Sequence, residues 1–202
     1  MAAITTLSSV KELATGQLSA IRNSAIDAVV KIASRELALP EEKLVVREIR
    51  PYTDLGMYSV TTVLDTASAA DVWGSFCHGG SIVNSPASGG NYVSACTVSK
   101  TIADDTYIGI YGVRDSRGGI TTVTANAVTL IKFNIGAADR VIWDLTKAQA
   151  YYDGAVAVSP SVVVMPPLAP IVIYLYLHAD NVEIYLQFMG FVVEPVGLVL
   201  TP

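Results

Sequence analysis

Ile171-Val172-Ile173-Tyr174-Leu175-Tyr176-Leu177-His178 decides the reading of this chain, because its side chains alternate with a period of two. Successive residues of a strand point to opposite faces. Ile171, Ile173, Leu175 and Leu177 therefore share one face, and Val172, Tyr174, Tyr176 and His178 share the other. Neither face is plainly polar, although an antiparallel sheet of a monomer normally turns one polar face to water. Beyond the turn cluster Ala179-Asp180-Asn181, Ile184, Leu186 and Phe188 alternate with Tyr185, Gln187 and Met189. The two stretches are expected to pair as a hairpin, aliphatic inward, with Tyr174, Tyr176 and Tyr185 in an outward row. Tyrosine and methionine are enriched in interface cores, so this row is a candidate intersubunit contact. The competing expectation is that a helix of the same chain lies over it.

Working upstream, the same period runs from Leu44 onward with strand-forming residue types. Strands are expected over residues 44–50, 57–64, 92–99, 106–113, 120–135 (broken near Ala125-Asn126), 140–145, 155–158, 162–165, 171–178 and 182–193. A short helical turn is expected at 67–72. Strands at this spacing predict a mainly β chain, an antiparallel sandwich of jelly-roll type.

The first 43 residues read differently. Ser9-Val10-Lys11-Glu12 has the spacing of a capping box, in which hydroxyl and carboxylate each satisfy a free N–H of the first turn. Leu18, Ile21, Ala25, Ala28 or Val29, and Ile32 then recur at helical spacing, and Ile26, Val30, Ala33 and Leu37 widen the stripe. Gly16 is expected to loosen the first turns, and Pro40 disfavours helical geometry at Leu39. The helix is expected over residues 9–39, ~46 Å long at 1.5 Å per residue. Residues 1–43 thus form a helical arm and 44–202 a sandwich domain, the arm being needed for assembly more than for folding. Its stripe, represented by Leu18, Ile21, Val29 and Ile32, is expected to lie across the chain's own sheet, against another subunit, or on a membrane surface.

Composition narrows the function classes. Hydrophobic residues make up 51% and charged residues 15%, against about 25% charged in an average soluble domain. Mean hydropathy is +0.47. The most apolar stretch, 162–177, contains Pro166, Pro167 and Pro170, which exclude a spanning helix. The excess must be buried in a dense β core or between molecules. Residues 1–50 carry a net charge of +1 and the remainder −6. An acidic body argues against a sequence-specific nucleic-acid surface, since phosphate binding needs clustered cations. The opening residues show no basic segment followed by an apolar core, so no secretory signal is expected in them.

The chemistry-bearing residues are sparse. His78 and His178 are the two histidines, and Cys77 and Cys96 the two cysteines. None has metal-ligand or redox spacing, and adjacent Cys77 and His78 would face apart on a strand. The cysteines are expected as buried thiols or one bridge. No nucleophile elbow or phosphate loop is present. The Gly-rich segment 79–91 reads as a connection or a recognition loop. Asp104-Asp105 and Asp180 read as turn residues. No catalytic residue, metal or cofactor is expected, and the chain is read as non-enzymatic.

An N-terminal helix, about eight strands and an apolar close at Gly190-Phe191-Val192-Val193-Glu194-Pro195-Val196-Gly197 resemble, over roughly residues 44–202, a single jelly-roll coat protein of a virus. The resemblance implies that the helix is an arm or inner-surface element and that sandwich edges tile against neighbours. Its partners would be other copies of itself and other structural proteins, within a virion assembled in the host cytoplasm. Two alternatives stand beside it: an extracellular filament or pilus subunit joined by strand addition, and a carbohydrate- or partner-binding sandwich using the 79–91 loop.

Overall fold

The period of two becomes a pair of β sheets in the computed structural model, which describes residues 2–9, 12–50, 54–55, 80–81, 92–94, 100–115, 128–149, 156–177, 183–184 and 186–197. In chain order the elements are β1 (Ala3–Thr6), β2 (Ser8–Ser9), α1 (Gln17–Leu37), a 3₁₀ turn (Glu41–Lys43), β3 (Leu44–Glu48), β4 (Gly80–Ser81) and β5 (Tyr92–Ser94). They continue with β6 (Lys100–Thr101), β7 (Tyr107–Asp115), β8 (Val128–Ile135), β9 (Ala138–Asp144), α2 (Thr146–Gln149), β10 (Val156–Met165), β11 (Pro170–Leu177), β12 (Glu183–Ile184) and β13 (Leu186–Pro195). One sheet runs β1-β9-β8-β11-β5, with β6 also on β11, and the second runs β2-β10-β7-β13-β3. β12 and β4 form a small separate ladder.

The pairing is nested. β3 lies beside β13, β5 and β6 beside β11, β7 beside β10, and β8 beside β9, each pair antiparallel. First with last, inward to a central hairpin, is the pattern of one long antiparallel ribbon rolled into two sheets, a jelly roll. The central hairpin turns at Gly136 (φ 65°) and Ala137 (φ 60°), since two positive φ values match the twist of a two-residue loop. The inner faces meet in a hydrophobic core containing Phe133, Trp143, Phe188, Ile131, Ile173 and Leu175. Phe133 packs edge-on to Trp143 at 4.8 Å and against Phe188 at 5.9 Å, the offset geometry aromatic rings prefer.

This topology corrects the expected final hairpin. β11 pairs with β8, β5 and β6 in one sheet, whereas β13 pairs with β7 and β3 in the other. The chain between them changes sheets instead of turning back, because β13 must return to β3 to close the roll. Inward Ile171, Ile173 and Leu175 are each fully buried, as alternation requires. The strands expected at 155–158 and 162–165 are one strand, β10, whose register against β7 slips between Val158 and Val163. Pro160 lies in that interval and has no N–H for a ladder.

The expected helix start at Ser9 is also corrected. Ser8 and Ser9 pair with Val158 and Ala157 of β10, and Leu7, fully buried, enters the inter-sheet core. Burying Leu7 is worth ~2 kcal/mol, more than an isolated N-cap usually supplies, about 1 kcal/mol. The helix begins at Gln17, after Gly16 takes a left-handed conformation at φ 83°, which glycine reaches without a Cβ penalty. Ala14 N–H donates to Gln17 Oε1 at 3.0 Å. At the other end Ala38 is left-handed at φ 53° and Leu39 N–H returns to Ser34 O, which closes the last turn before Pro40.

α1 lies on the outer face of the second sheet, against β7, β10, β13 and β3. Ala25, Val29 and Ala33 are its buried residues, spaced by one turn on one stripe. They sit on a floor of Tyr107, Tyr111, Phe191 and Val193. Small helix residues over large sheet residues let the helix approach closely. Gly109 opposes Phe191 in the ladder, and a Cβ there would fall 2.5 Å from a ring carbon of Phe191, so the ring occupies the space a side chain would need. β1 extends one sheet parallel to β9 and β2 extends the other beside β10. β1, β2 and α1, all within the expected arm of 1–43, therefore pack on the two sheets of the expected body of 44–202.

The strand expected at 57–64, the helical turn at 67–72, most of the 79–91 loop, Cys77, Cys96, His78, His178, Asp180 and Tyr185 lie outside the described residues.

Candidate assembly surface

The two outer faces of the sandwich differ in cover. On the second sheet the outer aromatics lie under α1 and are buried. On the first sheet Val172, Tyr174 and Tyr176 point outward and are half-buried. They are not beneath α1, which lies on the opposite side of the molecule, so the competing reading for this row is overturned. β13 belongs to the other sheet, so it does not extend the row as a hairpin partner would, and Tyr185 lies outside the described residues.

Register shows what does extend it. Tyr174 stands opposite Lys132 of β8, Lys132 opposite Ile142 of β9, and Ile142 beside Ile4 of β1. The next line runs from Tyr176 through Leu130 to Asp144 and Thr6. Leu130 and Ile142 are half-buried, and Ile4 is 72% exposed. Lys132 Nζ sits 4.8 Å from the centre of the Tyr174 ring and 3.3 Å from Asp139. The ammonium is held by ring quadrupole and carboxylate together. Asn134 donates to Asp139 Oδ1 at 2.9 Å, and that bond, followed by Lys132, lowers the Asp139 carboxyl below its ordinary range. The face is thus an apolar and aromatic band with a fixed, charge-compensated centre.

The helix residues expected at an intersubunit contact are placed otherwise. Val29 is fully buried on the chain's own sheet, Ile21 and Ile32 pack partly on the same cluster, and Leu18 is half-buried at the first turn. Val29, Ile21 and Ile32 thus face the chain's own sheet. The helix is also tied by polar contacts. Arg22 meets Glu48 of β3 at 2.9 Å, and Tyr107 Oη donates to Glu36 Oε2 at 2.7 Å.

Burial, and then the bond to Glu36, pushes the Tyr107 phenol up to about 12 from an ordinary 10.0. Because the folded state holds this proton more firmly, its contribution to stability is complete below pH 10.0 and is lost as pH rises through about 12. Denaturant titrations across that window should show a steep loss in the native chain. In Tyr107→Phe the part due to this phenol should disappear, and an unchanged alkaline slope would refute the linkage.

Asp104 and Asp105 form a local turn, with Asp104 Oδ1 accepting the Asp105 N–H at 3.0 Å. Among the described residues no three of His, Cys, Asp and Glu come together as a metal site, and no helix is long and apolar enough to cross a membrane. Sequence reading missed Ile4, Leu130 and Ile142 as surface residues, because the phase of a strand against its neighbours is set by register. The β-branched run Ile4-Thr5-Thr6 was the signal available for β1. No family model, curated protein or solved structure matches the chain.

Proposed function

We propose that this chain is a non-enzymatic, self-assembling structural subunit, and that the assembly is a virus coat. The observation that carries the reading is the asymmetry of the two sandwich faces: one outer face is capped by the chain's own helix, while the other leaves Val172, Tyr174, Tyr176, Leu130 and Ile142 half-buried outside it. Soluble monomers seldom keep a large apolar patch open, and packing against neighbouring subunits would cover this one. A rolled sandwich can serve as a tile, and a low charged fraction of 15% suits a molecule that buries surface in contacts. Other copies of the chain, and other structural proteins beside them, are its partners in a virion assembled in the host cytoplasm.

Negative-stain imaging of the purified protein tests this directly. Closed shells or curved sheets of subunits are expected. Unbranched filaments would favour assembly by strand addition instead, and small uniform particles at every concentration would overturn both. The face itself is tested by Tyr174→Ser with Tyr176→Ser. Burying one ring recovers ~2 kcal/mol, so the double variant should associate at least about tenfold more weakly with an unchanged circular dichroism spectrum. Normal association would remove this face from the contact.

A further inference from the structure

We infer that β1 is an edge for pairing with β1 of a second copy about a twofold axis through Thr5; the inference rests on the self-assembly reading and names one of its contacts. An open strand edge invites another chain, and folded proteins usually blunt such edges with charge, proline, a bulge or brevity. The second sheet follows that rule, because β2 is two residues long and β3 carries Arg47 and Glu48. On the first sheet, the edge beside β11 changes register between the pairs made by β5 and those made by β6. β1 carries no charge, proline or bulge, and at four residues is twice the length of β2. Its sequence is Ala-Ile-Thr-Thr, it keeps unshifted register with β9 over four pairs, and Ile4 is 72% exposed. Among the described residues, no strand lies beyond it in the sheet.

The direction of the free groups fixes the register. Leu7 N–H donates to Asp144 O at 2.9 Å. Alternate residues of a strand face alternate sides, so Thr5 and Ala3 also turn their N–H and C=O toward β9, and Ile4 and Thr6 turn theirs to the open edge. In an antiparallel pair, residues whose free groups face each other exchange both bonds. Ile4 of one copy then stands opposite Thr6 of the other, and the two Thr5 residues meet at the axis as a non-hydrogen-bonded pair with Cα atoms ~4.5 Å apart. The contact is isologous, as a twofold axis requires. The strand carries no charged side chain, so identical copies meet without like-charge repulsion. Pairing fuses two first sheets into one and carries the line Tyr174, Lys132, Ile142, Ile4 across the junction.

Oxidative crosslinking of the full chain in a Cys77→Ser, Cys96→Ser background tests the register. Thr5→Cys should give a disulfide-linked dimer, because ~4.5 Å falls within the Cα span a disulfide accepts. Ala3→Cys should not, because antiparallel pairing places the two Ala3 residues roughly 14 Å apart at ~3.4 Å per residue. Ile4→Lys and Thr6→Pro, both on the open side of the strand, should each raise the dimer dissociation constant by about tenfold or more, read by sedimentation. Equal crosslinking at both positions, or native dimerisation in both edge variants, overturns the pairing. If those variants dimerise normally while the tyrosine double variant does not, the edge is wrong and the assembly reading stands. If Thr5→Cys alone crosslinks but imaging finds no shell, the edge is right and the coat reading falls.

Discussion

Removal of residues 1–39 is expected to abolish the cooperative unfolding transition of this protein, and not only to change its oligomeric state. Leu7 plugs the inter-sheet core from the strand pair β1 and β2, and α1 roofs Tyr107, Tyr111, Phe191 and Val193, each at most 5% exposed. The truncation opens the first site and bares the second. Fully burying one such side chain is worth about 1.5–3 kcal/mol, so five of them amount to roughly 8–15 kcal/mol. Whole domains are stable by only about 5–15 kcal/mol. The truncated chain should lose its sigmoidal urea transition by circular dichroism and bind a hydrophobic dye. A shortened chain with the native urea midpoint would show that the segment is an appendage.

The opposite outcome was expected from sequence alone, and the reason lies in Ser9-Val10-Lys11-Glu12 and Leu7. A capping box is a local signal, whereas the destination of Leu7 is set by residues more than a hundred positions away, Asp144, which accepts its N–H, and Ala157 of the core among them. The helical stripe itself was legible, because Ala25, Val29 and Ala33 repeat at one turn, and the stop at Pro40 was legible for the same local reason. The strands now called β3, β7, β8, β9 and β11 were legible from alternation, and so was the sandwich. Alternation gives the phase of a strand but not its neighbour.

That gap decided the candidate surface. Tyr174 and Tyr176 were placed correctly on an outward face, since Ile171, Ile173 and Leu175 had to be inward. Their companions were taken from across the nearest turn, and the nested pairing instead supplies Lys132, Leu130, Ile142 and Ile4. Sequential strands in a roll often change sheets. A turn-favouring cluster in sequence such as Ala179-Asp180-Asn181 does not distinguish a hairpin from a crossover between layers.

The strongest single-residue effect is expected at Arg47, whose role no local pattern announced. It stands opposite Val192 on β3. It grips Asp54 with both terminal nitrogens at 2.9 Å and Glu194 with Nε at 3.0 Å. The side chains of Asp54 and Glu194 are 11% and 9% exposed, and these contacts raise the already high Arg47 pKa further. Asp54 Oδ2 also accepts the Arg50 N–H at 2.6 Å, so the guanidinium joins the last strand to the turn after β3. Arg47→Met would leave two carboxylates together with little water and without that cation. Breaking a buried pair from one side costs about 3–5 kcal/mol, and the partial exposure of Arg47, 28%, places the expectation near ~3 kcal/mol. Arg47→Lys should recover only part, because one ammonium cannot reproduce a planar fork on one acid and a third bond to another. Adding Asp54→Asn and Glu194→Gln to Arg47→Met should restore more stability than Arg47→Lys does, since the cost comes chiefly from the stranded charges. Urea midpoints of the four proteins decide it: if the triple variant is the least stable, the contacts themselves, and not the burial of unpaired charge, hold this end of the roll.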